Sequence, residues 1–99
     1  MQKRFGKLVL DTATAEFLGW SIEAGRVVYA AYLQQNVLFA HKVLPNGRED
    51  LFPFRPCRVR DMAGHIRHMC THLTPEAYGR HIRGTYLERA FGRGLSVAA

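Results

Sequence analysis

The sequence lacks the features that identify a membrane or exported protein. No apolar run approaches the eighteen or more residues that a membrane-spanning helix needs. An acid, Asp11, follows the basic start too soon for a secretory signal peptide. The two cysteines, Cys57 and Cys70, form no Cys-x-x-Cys pair, so we expect free thiols. These absences predict a cytoplasmic protein with no membrane partner.

Motifs for nucleotide-dependent or nucleophilic chemistry are also missing. Gly92-Arg-Gly94 has neither the lysine nor the spacing of a phosphate-binding loop. The two serines, Ser21 and Ser96, do not lie in a Gly-x-Ser-x-Gly elbow. Cys70 falls on the apolar side of its predicted helix, away from the histidines, which makes it a poor nucleophile. We therefore predict that the chain is not an enzyme and has no cofactor.

Lysine is absent from residue 55 onward, and this half of the chain is strongly basic. Residues 55–99 carry eight arginines against three acids, whereas residues 1–54 carry six Lys and Arg against five acids. The guanidinium group presents a planar fork that suits phosphate and carboxylate. Such an asymmetric charge predicts an anionic partner, and says nothing about the fold.

The 47% apolar and 11% aromatic content is that of one folded domain spanning 1–99, with a core of two layers. Residues from about 4 to 54 are predicted to form a mostly antiparallel sheet. Alternation and β-branched residues predict strands at 5–10, 20–23, 26–33, 37–44 and 51–54. Turns are predicted at Ala24-Gly25, Gln35-Asn36 and Pro45-Asn-Gly47. Pro53 should place its strand at an edge.

The remaining segments are predicted to be helical. Asp11 or Thr12 caps a short helix over 11–18. From residue 56 the apolar period changes from 2 to 3.6, which predicts a helix over about 58–73. Thr74 as N-cap and Pro75 at the first helical position begin a second helix over about 75–91.

Gly84 is a candidate stop within the second helix, and residues 92–99 are predicted to be a flexible tail or an edge strand. The expected fold is therefore α+β, with the two C-terminal helices packed on one face of the sheet.

The first long helix is predicted to present a face of ionisable side chains. Asp61, His65, His68 and His72 fall within a sector of roughly 60° on an ideal helix. His-x3-His spacing can hold one divalent ion, with Asp61 as a further oxygen ligand. The His-Glu-x-x-His pattern of catalytic zinc is absent. A plain solvated face, an anion-binding face and a metal site all remain open.

Several arginines and histidines of the two helices are candidates for binding nucleic acid or an acidic protein surface. If the helices pack side by side, these residues form one basic layer, on which Tyr78, Tyr86 and Phe91 could stack bases. The predicted anion-binding residues are Arg55, Arg58, Arg60, Arg67, Arg80, Arg83, His68 and His72. The leading hypothesis is a small basic module that binds nucleic acid or a nucleic-acid-handling protein.

Two alternatives accompany it. One is a protein-interaction or inhibitor protein that uses the edge strand over 51–54, an arrangement that also allows a homodimer. The other is a metal-binding protein that uses His65, His68 and His72, with Asp61 as a further ligand.

Three segments carry a family resemblance: Leu44-Pro-Asn-Gly47, Phe54-Arg-Pro-Cys-Arg-Val-Arg-Asp61 and Leu73-Thr-Pro-Glu-Ala-Tyr-Gly-Arg80. Over residues 44–83 they resemble the opening strand and helix pair of Gcn5-related N-acetyltransferases. The acetyl-coenzyme A loop of that family is absent, so the resemblance implies a truncated or repurposed half-domain rather than an acetyltransferase. Leu10-Asp-Thr-Ala-Thr-Ala-Glu16 is similar to small uncharacterised proteins of phages and mobile elements.

Overall fold

A two-stranded hairpin opens the chain. The computed structural model describes residues 1–56, 62–88 and 96–97. Strands β1 (Gln2–Phe5) and β2 (Leu8–Asp11) pair antiparallel, with Phe5 opposite Leu8. Gly6, at φ +63°, lies in the turn between them. The single strand predicted over 5–10 is therefore wrong, because the glycine allows the left-handed conformation that reverses the chain.

Within the described residues, the main sheet has six strands and confirms the prediction of a mostly antiparallel sheet. Its members in chain order are β3 (Glu16–Glu23), β4 (Arg26–Gln34), β5 (Val37–Val43), β6 (Glu49–Pro56), β7 (His72–Leu73) and β8 (Ser96–Val97). The spatial order is β6-β5-β4-β3-β7-β8, and β7 pairs parallel with β8. Strand β6, which contains Pro53, lies at one edge as predicted.

The predicted turns between β3, β4 and β5 are confirmed. Gln35 and Asn36 adopt φ values of +48° and +63°, and Ala24 and Gly25 adopt +51° and +76°. Two consecutive positive φ values match the right-handed twist of the strands they join. The predicted helix over 11–18 is wrong. The Asp11 carboxylate accepts from the Ala13 N–H at 2.9 Å, which builds a tight turn instead of a helix cap.

The first helix, α1, is shorter than predicted. It spans Met62–Met69, whereas the periodicity predicted 58–73, of which 58–61 lie outside the described residues. The Cys70 N–H donates to Ile66 O at 2.8 Å, and the next N–H, of Thr71, donates to Trp20 O at 3.0 Å. The chain thus leaves the helix in order to pair with β3.

The second helix begins as predicted and ends early. Thr74 Oγ1 accepts from the Ala77 N–H at 3.1 Å, which confirms the N-cap of α2 (Pro75–Ala77). A π-helical turn, Tyr78–Ile82, follows directly, and the Arg83 N–H donates to Tyr78 O at 2.9 Å. The helix predicted to reach 91 therefore ends at Ile82, and Gly84 follows at φ +81°. Residues 89–95 lie outside the described part.

The main sheet is covered on both faces, so the fold has three layers and not the two expected. One core cluster joins the sheet to the helices and contains Leu18, Ile66, Leu73 and Ile82, all fully buried. A second cluster, built around Leu10, Phe39 and Leu51, joins the sheet to the β1–β2 hairpin. The hairpin supplies a second apolar layer, so a 99-residue chain has a buried cluster on each face of the sheet.

Candidate functional site

A carboxylate and two basic side chains from distant parts of the chain meet beside α2. Glu16, the first residue of β3, has its Oε2 2.8 Å from His81 Nε2 and its Oε1 3.2 Å from an Arg80 guanidinium nitrogen. The His81 side chain is 15% exposed and that of Glu16 is 23% exposed. Arg80 and His81 lie in the π-helical turn, a distortion that is frequent at functional sites.

The Glu16 carboxylate fixes the orientation of the His81 ring. An ionised carboxylate only accepts hydrogen bonds, so Nε2 must carry the proton that it donates. In neutral His81 the other nitrogen, Nδ1, is then an acceptor. No described residue forms a hydrogen bond with Nδ1. Among the described residues, Nδ1 is also not one of the side-chain atoms that are both buried and without a partner. His81 therefore offers a hydrogen-bond acceptor that is held in place.

His81 and Arg80 line a cleft of about 300 Å³. Leu33, Met62 and Ala63 supply apolar walls from β4 and the start of α1, and Asn36, Thr85 and Tyr86 supply polar groups. The Thr85 hydroxyl already donates to Ile82 O at 2.6 Å. This volume is at the lower end of ligand-binding pockets, so the cleft suits a small group rather than a large ligand.

The outer face of α1 is basic. His65, Arg67 and His68 are exposed, whereas Met62 and Ile66 face the core. No residue of Met62–Met69 is acidic. The ion pairs of the described residues do not include Arg67, so its guanidinium is available to a partner.

The predicted histidine face is not assembled on one helix. His72 lies in β7 opposite Trp20, and its Nδ1 is 2.9 Å from the Thr71 hydroxyl. Its predicted helical position is wrong because α1 ends at Met69. Among the residues described, no three His, Cys, Asp or Glu side chains could share a metal ion. Asp61 lies outside that part of the chain.

Of the other predicted anion-binding arginines, the structure describes the side chains of Arg80 and Arg83. Arg80 is neutralised by Glu16, and Arg83 is exposed with its guanidinium carbon 5.9 Å from the centre of the Tyr78 ring. Arg58, Arg60 and the side chain of Arg55 lie outside the described part. Arg67 and Arg83 are therefore the two described arginines of the set that have no carboxylate partner among the described residues.

Cys70 is buried against α1 and the sheet. Burial raises the pKa of its thiol to about 12, so the nucleophilic thiolate is scarce at neutral pH. This agrees with the prediction that Cys70 is a poor nucleophile.

Strand β6 presents an exposed aromatic pair. Phe52 and Phe54 are 41% and 40% exposed, and with Tyr29, Ala40 and Lys42 they line a depression of about 160 Å³. Pro53 and Pro56 have no backbone N–H to donate from this edge strand, which limits its pairing with a further strand.

Sequence reasoning missed the Glu16–His81 contact. The two residues are 65 positions apart, and no local period links them. The helix predicted over 11–18 includes Glu16, so the local pattern does not indicate its place at the start of β3. A carboxylate at the start of a strand that has apolar residues on both faces is a weak sequence signal of such a contact.

Comparisons with protein-family models, curated proteins and solved structures each return no match to this chain. The acetyltransferase resemblance over 44–83 therefore stays a prediction. Within the part of the chain that the structure describes, no helix is both long enough and apolar enough to cross a membrane.

Proposed function

We propose that this chain is a small non-enzymatic binding module of the cytoplasm whose helical layer contacts nucleic acid. The observation that carries the proposal is the acid-free outer face of α1, where His65, Arg67 and His68 are exposed. Arg83, directly after the π-helical turn, is a second exposed arginine of the helical layer. Cations without carboxylate partners attract phosphates over several ångströms and release counterions when they bind.

A nucleic-acid partner fits this surface better than an isolated anion does. The basic side chains lie along a helix without forming a closed pocket, as expected for contacts to successive phosphates. For a single strand, each phosphate neutralised contributes a slope of about −0.7 to a plot of log affinity against log salt. Arg67 and Arg83 together therefore account for a slope of about −1.4.

The direct test compares two matched variants in fluorescence anisotropy with labelled single- and double-stranded oligonucleotides. The variant His65→Gln, Arg67→Gln, His68→Gln removes the basic face of α1 without touching the core. The control Arg4→Gln removes one exposed arginine from β1, which lies in the hairpin layer on the opposite face of the sheet. We expect the triple variant to lose binding and the control to retain it, with both as stable as the wild type. Equal affinities for all three proteins would contradict the proposal.

A second candidate function is a protein interaction through β6, and the exposed Phe52 and Phe54 favour it. A homodimer through this edge is one form of that interaction. It predicts partner binding, or self-association, that survives high salt and is lost in Phe52→Ser, Phe54→Ser. Sedimentation of the wild type and this variant at low and high salt separates the two candidates. Dissociation by salt with no effect of the substitutions would contradict the second candidate.

A further inference from the structure

The cleft beside His81 opens next to the basic face of α1. Met62 and Ala63, which form one wall, begin this helix, and the Tyr86 hydroxyl lies over its first turn. A Cβ added to Gly64 would be only 3.1 Å from Tyr86 Oη. Gly64 immediately precedes His65, the first residue of the basic face. The cleft and the basic face therefore both border the first turn of α1.

The cleft offers donors, an acceptor and apolar walls with little net charge. Neutral His81 accepts through Nδ1, and the Asn36 amide both donates and accepts. Arg80 keeps guanidinium donors beyond the nitrogen that binds Glu16, while the Glu16 carboxylate balances its charge. With His81 neutral, a phosphate would find no net positive charge there. A flat, neutral heterocycle with donors and acceptors along its edge matches this lining.

Tyr86 supplies an aromatic surface at the same place. Its side chain is 77% exposed, the largest value among the exposed large hydrophobic residues of the described chain. An aromatic ring left in water beside a basic helix is typical of surfaces that stack unpaired bases. The Tyr86 ring contributes little to the core, so its replacement leaves the fold intact.

We infer that the cleft between Leu33, Met62 and His81 binds one unstacked nucleobase of a single strand, with Tyr86 as the stacking surface. The inference rests on the proposed function, since the basic face of α1 would hold the phosphates of the same strand. It adds the substrate class, because a base that enters the cleft must be unpaired. Duplex nucleic acid therefore binds more weakly than a single strand of equal length.

The test uses two fluorescent 15-mers of equal charge, oligothymidine and an abasic strand with the same backbone. We expect the wild type to prefer oligothymidine about tenfold, the effect of one stacked base. Tyr86→Ala should bind both strands equally, whereas Tyr86→Phe keeps the ring and should keep the preference. Phe52→Ala, which removes an exposed ring from β6, is the matched control and should also keep it.

Failure of this inference is distinguishable from failure of the proposed function. If both strands bind equally to the wild type, or if Tyr86→Ala retains the preference, the base site is overturned and the basic interface stands. If neither strand binds, the basic interface fails, and the base site is then tested by adding free thymidine. A shift of the His81 ring resonances on adding thymidine, absent in Tyr86→Ala, then supports the base site, and no shift overturns it. If the protein binds polyglutamate more tightly than either strand, the base site is also overturned.

Discussion

Gly19 controls how the helical layer is attached to the sheet. It lies in β3 at φ +151°, opposite Leu73 of β7. A Cβ at this position would collide with His72 O and lie 2.8 Å from Leu73 Cα. The neighbouring hydrogen bond from the Thr74 N–H to Leu18 O, at 2.9 Å, ties the N-cap of α2 to the strand that carries Glu16. The substitution Gly19→Ala therefore strains the attachment of the candidate site.

The expected cost of Gly19→Ala is about 4 kcal/mol. Holding alanine in a conformation that is nearly restricted to glycine costs about 2 kcal/mol. Relieving the collision by moving β7 costs about 2 kcal/mol more, as overpacking typically does. The sum is a large fraction of the roughly 5–15 kcal/mol that stabilises a typical domain. We therefore expect a marginally folded variant.

Urea denaturation followed by far-ultraviolet circular dichroism measures this cost. Gly25→Ala is the matched control, because Gly25 also has a positive φ, +76°, but a Cβ there would meet no atom within 4 Å. The control should lose only about 1–2 kcal/mol of unfolding free energy, which is the cost of a left-handed backbone conformation in an L-residue. If Gly19→Ala costs no more than Gly25→Ala, then β7 does not approach β3 as closely as described, and the reasoning is refuted.

Three further predictions follow from single contacts. Thr74→Ala should lose about 1 kcal/mol of unfolding free energy in urea while Thr74→Ser loses little, because serine keeps the capping oxygen; equal losses would exclude the cap. In a Cys57→Ser background, Cys70 should react with a thiol reagent far more slowly in the native than in the urea-unfolded protein, since burial raises its pKa to about 12; equal rates would contradict its burial. The pKa of Asp50 is lowered, first by the hydrogen bond from Lys3, so its stabilising contribution is complete above the ordinary pKa of 3.8 and is lost as the pH falls below it. Acid denaturation of Asp50→Asn should therefore lack part of this pH dependence, and an unchanged profile would contradict the pairing.

Local signals predicted the central part of the fold. The strands over 26–33 and 37–44 were predictable because their alternation and their turn residues agree, and Gln35-Asn36 adopts the positive φ values that such a turn needs. Thr74-Pro75 marked the start of α2 because the cap depends only on residues three positions apart. Exposure of Arg67 and His68 on α1 also followed from the helical period alone.

Long-range pairing explains what the sequence did not reveal. The apolar period of 3.6 continues through His72. However, β3 has unpaired backbone groups along one edge, and the chain after Met69 pairs with them by forming β7. Gly19 permits that approach, although a glycine in a sequence equally suggests the end of a helix. The contact between Glu16 and His81 depends on the same tertiary arrangement, so no local pattern contains it.

The central claim, that the helical layer binds nucleic acid through unpaired cations, is tested most directly by the salt dependence of binding. The measurement is the slope of log affinity against log salt for labelled oligothymidine, in the wild type and in Arg67→Gln, Arg83→Gln. The double variant should have a slope shallower by about 1.4, the contribution of two phosphate contacts on a single strand. An affinity that does not change with salt, or an identical slope in both proteins, would contradict the claim.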